Sequence, residues 1–318
     1  MKLILCYHNF VDDEEDKNGP YAKLYGQSRS ITRENLSQQL SWLKQEFDVV
    51  GLDEMVQEDR SSRRLAITVD DGFRSMVDHA YPVLKELQVP ATWFIASAYV
   101  QNSELHPWWF LLDFVREKVS HRFEFAFEGK SIVHDPVSKD SFFSEMRSLF
   151  LKLPAPRRNK LQEQLEQAIR QWVDIPQNSF IREDELIHLF KETDLIVPGC
   201  HTHQHVNCGI EPKEFIEEEL ITNQAFIESV YGKKSPFFAF PYGRKDSYRV
   251  EQETREALRR ASISHAFTTE RSYMKKNGDD YFIPRLTMQP NWSIKKMRYF
   301  VKNLNQVNFL MKVKRALN

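Results

Sequence analysis

Apolar runs and helical stripes alternate along the first hundred residues. Residues 3–7 (Leu-Ile-Leu-Cys-Tyr) form a short, buried type of strand that ends in His8 and Asn9. A polar segment over 12–26 reads as a long loop. Thr32 is placed to cap a helix with Leu36, Leu40, Leu43 and Phe47 on one face. Residues 47–51 and 65–69 read as the second and third strands. A helix carrying Met76, Ala80, Val83, Leu84 and Leu87 follows, and residues 91–95 give a fourth strand. This is the rhythm of parallel strands covered by helices.

From about residue 101 to 194 the rhythm is interrupted by a mainly helical block. One helix holds Trp108, Trp109, Leu112 and Val115, and others read over 140–153, 158–173 and 182–192. A hairpin over 122–133 turns at Gly129-Lys130. Alternation then resumes: strand 195–199, helix 213–231, strand 236–240, helix 250–261, and strands 265–268 and 282–288. Seven or eight strand–helix units point to an α/β barrel over residues 1–292. The helical block is then an insertion at the strand ends, where such barrels keep their sites.

Composition narrows the partners. With 44 basic and 45 acidic residues among 318, the formal charge of −1 lacks the basic excess of a nucleic-acid binder. Cys6, Cys200 and Cys208 make no disulfide framework and read as buried thiols. The N-terminal apolar run is short for a signal peptide, and no stretch approaches the ~18 apolar residues of a membrane span. These features lead to the expectation of a cytoplasmic protein. The tail over 293–318 mixes Lys295, Lys296, Arg298, Lys302, Lys312, Lys314 and Arg315 with Met297, Phe300, Val301, Leu304, Phe309, Leu310, Val313 and Leu317. It reads as a basic amphipathic helix, either peripheral to the inner membrane surface or docked on the barrel with a solvated basic face.

The candidate chemistry starts where strand 65–69 runs into Asp70-Asp71-Gly72. Two adjacent carboxylates repel unless a proton or cation relieves them. A metal would bind one and leave the other as a base. A second strand end carries His201-Thr202-His203-Gln204-His205. The i,i+4 histidines suit two ligands on one turn or tight loop, and with Asp71 they make an Asp-His-His site with open positions for water and substrate. Zn2+ is the default divalent ion for that set; Ni2+ and Co2+ also suit imidazole.

These stretches resemble the motifs of the polysaccharide deacetylase (NodB-homology) superfamily. Thr68-Val69-Asp70-Asp71-Gly72 is similar to its first motif, His201-Thr202-His203-Gln204-His205 to its second, and Phe240-Pro241-Tyr242-Gly243 to its third. The resemblance implies a distorted (β/α)7 barrel and metal-dependent hydrolysis of N-acetyl groups on amino sugars. It makes Asp70 the base and Asp71, His201 and His205 the metal ligands. Thr202 braces the histidine loop, and Pro241 leads into Tyr242, whose backbone amide helps form the oxyanion hole. Two features depart from the usual pattern. Ala239 stands where many members carry the arginine that orients the base. The Leu-x-x-His motif, usually near the C-terminus, occurs instead as Leu5-Cys6-Tyr7-His8. Both features are similar to the permuted poly-N-acetylglucosamine deacetylase branch. There His8 becomes the general acid, and Arg285 becomes the candidate replacement guanidinium, an ordinary salt bridge being the alternative.

Trp108 and Trp109 are candidates for stacking on a sugar, although a helix core accounts for at least one of them. His203 reads as exposed, and His106, His121, His134, His188 and His265 as structural. The expected substrate is an N-acetylated sugar or a lipid- or nucleotide-linked glycan precursor. The alternatives are an amidohydrolase acting on another small amide and a catalytically silent carbohydrate-binding module.

Overall fold

A computed structural model describes residues 1–12, 30–57, 63–177, 179–245, 251–275, 278–289, 292–304 and 306. Seven parallel strands form the framework: β1 (Lys2–Tyr7), β2 (Arg64–Asp71), β3 (Ala91–Ile95), β4 (Ile196–Cys200), β5 (Phe237–Ala239), β6 (His265–Phe267) and β7 (Leu286–Thr287). Their order across the sheet is β6-β5-β4-β3-β2-β1-β7. The segment entering β7 touches both edges: Ile283 bridges Phe267 of β6, and Leu286 pairs with Leu5 of β1. The sheet thereby curls into the distorted (β/α)7 barrel.

The middle strands are covered on both faces, so their residues are apolar almost without alternation. Leu65, Ala66, Ile67 and Val69 of β2 and all five residues of β3 are buried. The helices that cover the sheet are amphipathic. In α1 (Arg33–Glu46), Leu36, Leu40 and Leu43 face inward, and the Thr32 hydroxyl accepts from the Asn35 amide at 3.1 Å to cap the start. A π-helical turn, Met76–Ala80, leads into α2 (Tyr81–Leu87).

The block between β3 and β4 contains α3 (Trp108–Lys118), the antiparallel hairpin Phe123–Phe127 with Lys130–His134, α4 (Lys139–Lys152), α5 (Ala155–Arg170) and α6 (Glu183–Glu192). Beyond β4 come α7 (Lys213–Tyr231), α8 (Glu251–Arg260) and α9 (Ile294–Lys302).

Several boundaries differ from the sequence reading, among them the helix expected over 158–173, which runs Ala155–Arg170, and the strand expected over 236–240, which runs Phe237–Ala239. Strand β2 continues through both acids instead of stopping at Val69, because Asp70 and Asp71 pair in register with Phe94 and Ile95 of β3. The strand expected over 47–51 shrinks to Asp48–Val49, since Gly51 already caps the helix Leu52–Val56. The strand expected over 282–288 shrinks to β7, because the chain changes partner from β6 to β1 across Pro284, which has no amide to donate. A short parallel pair, Asn9–Val11 with Ser30–Thr32, was not anticipated. Apart from Asp12, the loop expected over 12–26 lies outside the described residues.

The described part of the tail packs on the barrel. Met297, Val301 and Leu304 are fully buried, Lys302 pairs with Glu46 of α1 at 3.1 Å, and Arg298 lies over the Trp42 ring. That apolar face is therefore occupied by the barrel and is not free for lipid. Phe309, Leu310, Lys312, Val313, Lys314, Arg315 and Leu317 lie outside the described residues. Among the described residues, no helix is long and apolar enough to cross a membrane.

Candidate active site and metal centre

Strand register gathers the site. Ile95 of β3 is level with Asp71 of β2 and with Cys200 of β4, and Cys200 is level with Phe238 of β5. His201, which follows Cys200, therefore emerges beside Ala239, next to the end of the strand that carries the acids. Adjacent side chains on a strand normally face opposite ways. A left-handed backbone at Asp71 (φ 83°), followed by Gly72 (φ 90°), breaks that alternation. Seven described non-glycine residues have positive φ, and four of them are Asp71, Thr202, His205 and Tyr242. Each such residue costs about 1–3 kcal/mol, and this strain gathers at the site.

Asp71 Oδ1 lies 3.3 Å from His201 Nε2 and 3.2 Å from His205 Nε2. All three residues are buried. His201 Nδ1 is 2.7 Å from the Ala239 carbonyl, which can only accept, so Nδ1 carries the hydrogen. A second hydrogen on Nε2 would donate to Asp71, whereas an Nε2 without one would turn a lone pair towards a carboxylate oxygen. A proton or a cation has to lie between them. Donor atoms on a tetrahedron with bonds of ~2.0–2.1 Å are roughly 3.3 Å apart, so these three fit a divalent ion. Burial alone would raise the Asp71 pKa, but the two histidines outweigh it and hold the carboxyl well below its ordinary value. Burial also drives His205 down to about 4, which keeps its imidazole neutral, as ligation requires.

Asp70 has a different environment. Arg285 Nη1 donates to Oδ1 and Nη2 to Oδ2, both at 2.7 Å, and both residues are buried. Arg285 also donates to Thr68 Oγ1 at 3.0 Å and to the Thr268 carbonyl at 3.2 Å. The guanidinium lost at Ala239 is thus present from β7's side of the barrel. Burial raises the Asp70 pKa, but the Arg285 charge overcomes it and the group stays ionised. His8, a third exposed, places Nε2 4.0 Å from Asp70 Oδ2. The Cys6 thiol donates to the same oxygen at 3.3 Å.

The remaining predicted residues sort by contact. Thr202 Oγ1 accepts from the Val206 amide at 3.0 Å and closes the histidine loop. Pro241 and Tyr242 follow β5; Tyr242 (φ 65°) and Gly243 (φ 62°) are both left-handed. A Cβ at Gly243 would meet Thr269 at 2.6 Å, so only glycine fits there. Trp108 is buried and donates to the Tyr242 hydroxyl at 3.1 Å, which makes it a support of that loop. Trp109 is half-buried, its ring 4.2 Å from that of His205, and it is the one of the pair that borders the site. His203 is not exposed as expected; it is half-buried with Nδ1 2.9 Å from Ser97 Oγ. His106 stacks on Phe110 and contacts the Pro176 carbonyl within the insertion.

The sequence reading missed the supports beneath the histidine loop. Asn223, fully buried on α7, accepts from the His201 amide at 2.8 Å and donates to the Ile95 carbonyl and to Ser97 Oγ. Glu219 accepts from the Gln204 amide at 2.7 Å, and burial pushes its carboxyl up to about 7. The available signal was a polar break, Glu219, Asn223 and Gln224, in the inward face that also carries Ile216, Leu220 and Ile227.

The family model for polysaccharide deacetylase matches residues 57–142 and 158–263, more than half of the chain. A comparison with curated protein sequences gives no match. Among solved structures, the chain is similar to IcaB from Ammonifex degensii (TM-score 0.57, 19% identity, covering 93% of this chain and 94% of that one). It is similar to the Streptococcus pyogenes deacetylase PplD (TM-score 0.58, 14% identity, 93% and 96%). It is also similar to a de-N-acetylase from Aggregatibacter actinomycetemcomitans (TM-score 0.58, 16% identity, 94% and 98%). At these identities the likeness concerns the fold.

Proposed function

The chain belongs to the polysaccharide deacetylase family, and from that premise we propose that it is a divalent-metal-dependent hydrolase that removes the N-acetyl group from an amino sugar. The observation that carries the metal dependence is the buried cluster of Asp71, His201 and His205, whose ligand atoms lie within 4.8 Å of one another, with Asp71 Oδ1 3.3 Å from His201 Nε2. With His205 they would hold the ion. When bound, a divalent cation supplies Lewis acidity to the amide carbonyl and to the attacking water.

The protein's own groups do the rest. Asp70 accepts the proton of the attacking water, and the Arg285 fork fixes both of its oxygens so that it cannot rotate away. The backbone N–H of Tyr242, which sits in a left-handed turn, would stabilise the developing oxyanion. His8, the more exposed partner, reaches the substrate side and protonates the leaving amine. Acetate and a free amino sugar result. Trp109, against the His205 ring, offers a face for the sugar ring. The order of elements, with His8 directly after the first strand and Arg285 directly before the last, supports the permuted poly-N-acetylglucosamine deacetylase branch.

The test is acetate release from N-acetylglucosamine oligomers and from nucleotide- and lipid-linked N-acetyl sugars, with and without chelator. Metal-dependent acetate release from any of these supports the reading. If none of them yields acetate after reconstitution with Zn2+, Co2+ or Ni2+, the N-deacetylase assignment is wrong.

A further inference from the structure

We propose that Cys6, His8 and Asp70 form a second site for a soft divalent cation such as Zn2+, and that filling it inhibits the enzyme. Cys6 stands on β1, paired in register with Thr68 of β2, and His8 follows directly on the strand's last residue, Tyr7. Cys6 Sγ lies 3.3 Å from Asp70 Oδ2 and 4.0 Å from each ring nitrogen of His8. His8 Nε2 is 4.0 Å from the same carboxylate oxygen. One ligand atom from each residue thus falls within 4.8 Å of the other two. Thiolate, imidazole and carboxylate ligands bound to zinc sit roughly 3.3–3.6 Å apart, so a contraction of about half an ångström completes the set.

The ion takes the place of the thiol proton that now points at Asp70 Oδ2, and that proton leaves to solvent. Arg285 keeps its two bonds, because each carboxylate oxygen has a second lone pair. Entry is through the His8 ring, which is 34% exposed while Cys6 is fully buried behind it. Thiolate and imidazole favour Zn2+ over Mg2+ or Ca2+. The site is distinct from Asp71, His201 and His205, although the two aspartates are sequence neighbours. Its inhibitory effect rests on the reading of Asp70 as base and His8 as acid; its occupancy does not.

The experiment loads chelator-treated protein with Zn2+ or Co2+ in excess and measures ions bound per chain, thiolate-to-Co2+ charge-transfer absorption, and acetate release. Wild type is expected to hold two ions, to show the thiolate band, and to lose activity as the second ion binds. Cys6→Ser keeps a hydroxyl donor for Asp70. It is expected to hold one ion, to lack the band, and to need roughly 10- to 100-fold more zinc for inhibition, the range by which even outer-shell losses weaken metal sites. His8→Ala, scored only for binding, is expected to drop the second ion with Cys6 intact, and covers the case in which Cys6→Ser does not fold. His205→Ala is expected to lose the other ion and keep the band, so failure of the catalytic-metal reading is separable from failure of this one. A single bound ion in wild type, or a thiolate band absent from it, overturns the proposal.

Discussion

The two halves of the site begin from neighbouring carboxylates and meet opposite needs. Asp70 is neutralised from within the chain by a buried guanidinium that grips both of its oxygens. Asp71 faces two imidazole nitrogens at 3.3 and 3.2 Å, and a proton or a cation has to lie between. The first half carries its counter-charge on folding; on the proposed reading the second would take it from an exchangeable cation. A permanent counter-charge keeps a base ionised and still. An incomplete acceptor cluster leaves room for an ion with open positions. Adjacent residues can take these two roles because the left-handed turn at Asp71 sends the second carboxylate to a different set of partners.

The largest expected effects break each half separately. Asp70→Asn is expected to lower kcat by about a hundred- to ten-thousand-fold while the protein still retains its metal, as read by turnover and metal analysis. His205→Ala is expected to lose activity together with the ion. If Asp70→Asn instead released the metal, the division of labour would be reversed.

Next in size is the arginine clamp. Arg285→Met leaves the buried Asp70 charge with only the Cys6 thiol and the more distant His8, so unfolding free energy is expected to fall by about 3–5 kcal/mol in denaturant titration. Full stability in that variant would mean that Cys6 and His8 suffice to hold the Asp70 charge.

The histidine half is expected to respond to added metal and to pH. Stripping the metal is expected to lower stability by about 2.7 kcal/mol relative to protein at a free-ion concentration of 100 times Kd. In the metal-free protein His205 is held near 4, below its ordinary 6.5. Between those values the unfolded chain binds a proton that the folded chain does not, so stability falls as the pH falls, with a slope of up to about 1.4 kcal/mol per unit. The lowered Asp71 carboxyl acts in the same direction at more acid pH. Bound metal is expected to extend the stable range towards acid, read as Tm against pH with and without the ion.

The smallest effect is a control. Arg157 and Glu128 form a close bidentate pair on the insertion, but in solvent. Arg157→Ala is expected to leave Tm unchanged within error, in contrast to Arg285→Met.

Much of this comparison was legible in the sequence. Asp70, Asp71, His201 and His205 stand in contiguous motifs at strand ends, where local pattern and register coincide. The barrel followed from repeated apolar strands and striped helices. Arg285 was a weaker reading, because its partner lies on a non-adjacent part of the chain and only the closing of the barrel brings them together. Asn223 and Glu219 were missed because they sit within a long helix and their partners are backbone amides, which carry no sequence signature. Cys6 was read correctly as a buried thiol, yet its contact with Asp70 depends on strand pairing.

The most direct test titrates metal-free protein with Zn2+, up to one equivalent, while acetate release from an N-acetylated amino sugar is followed. The account predicts activity rising in proportion to bound ion, with no such rise in His205→Ala. Full activity in the metal-free protein, or an unchanged titration in His205→Ala, would contradict it.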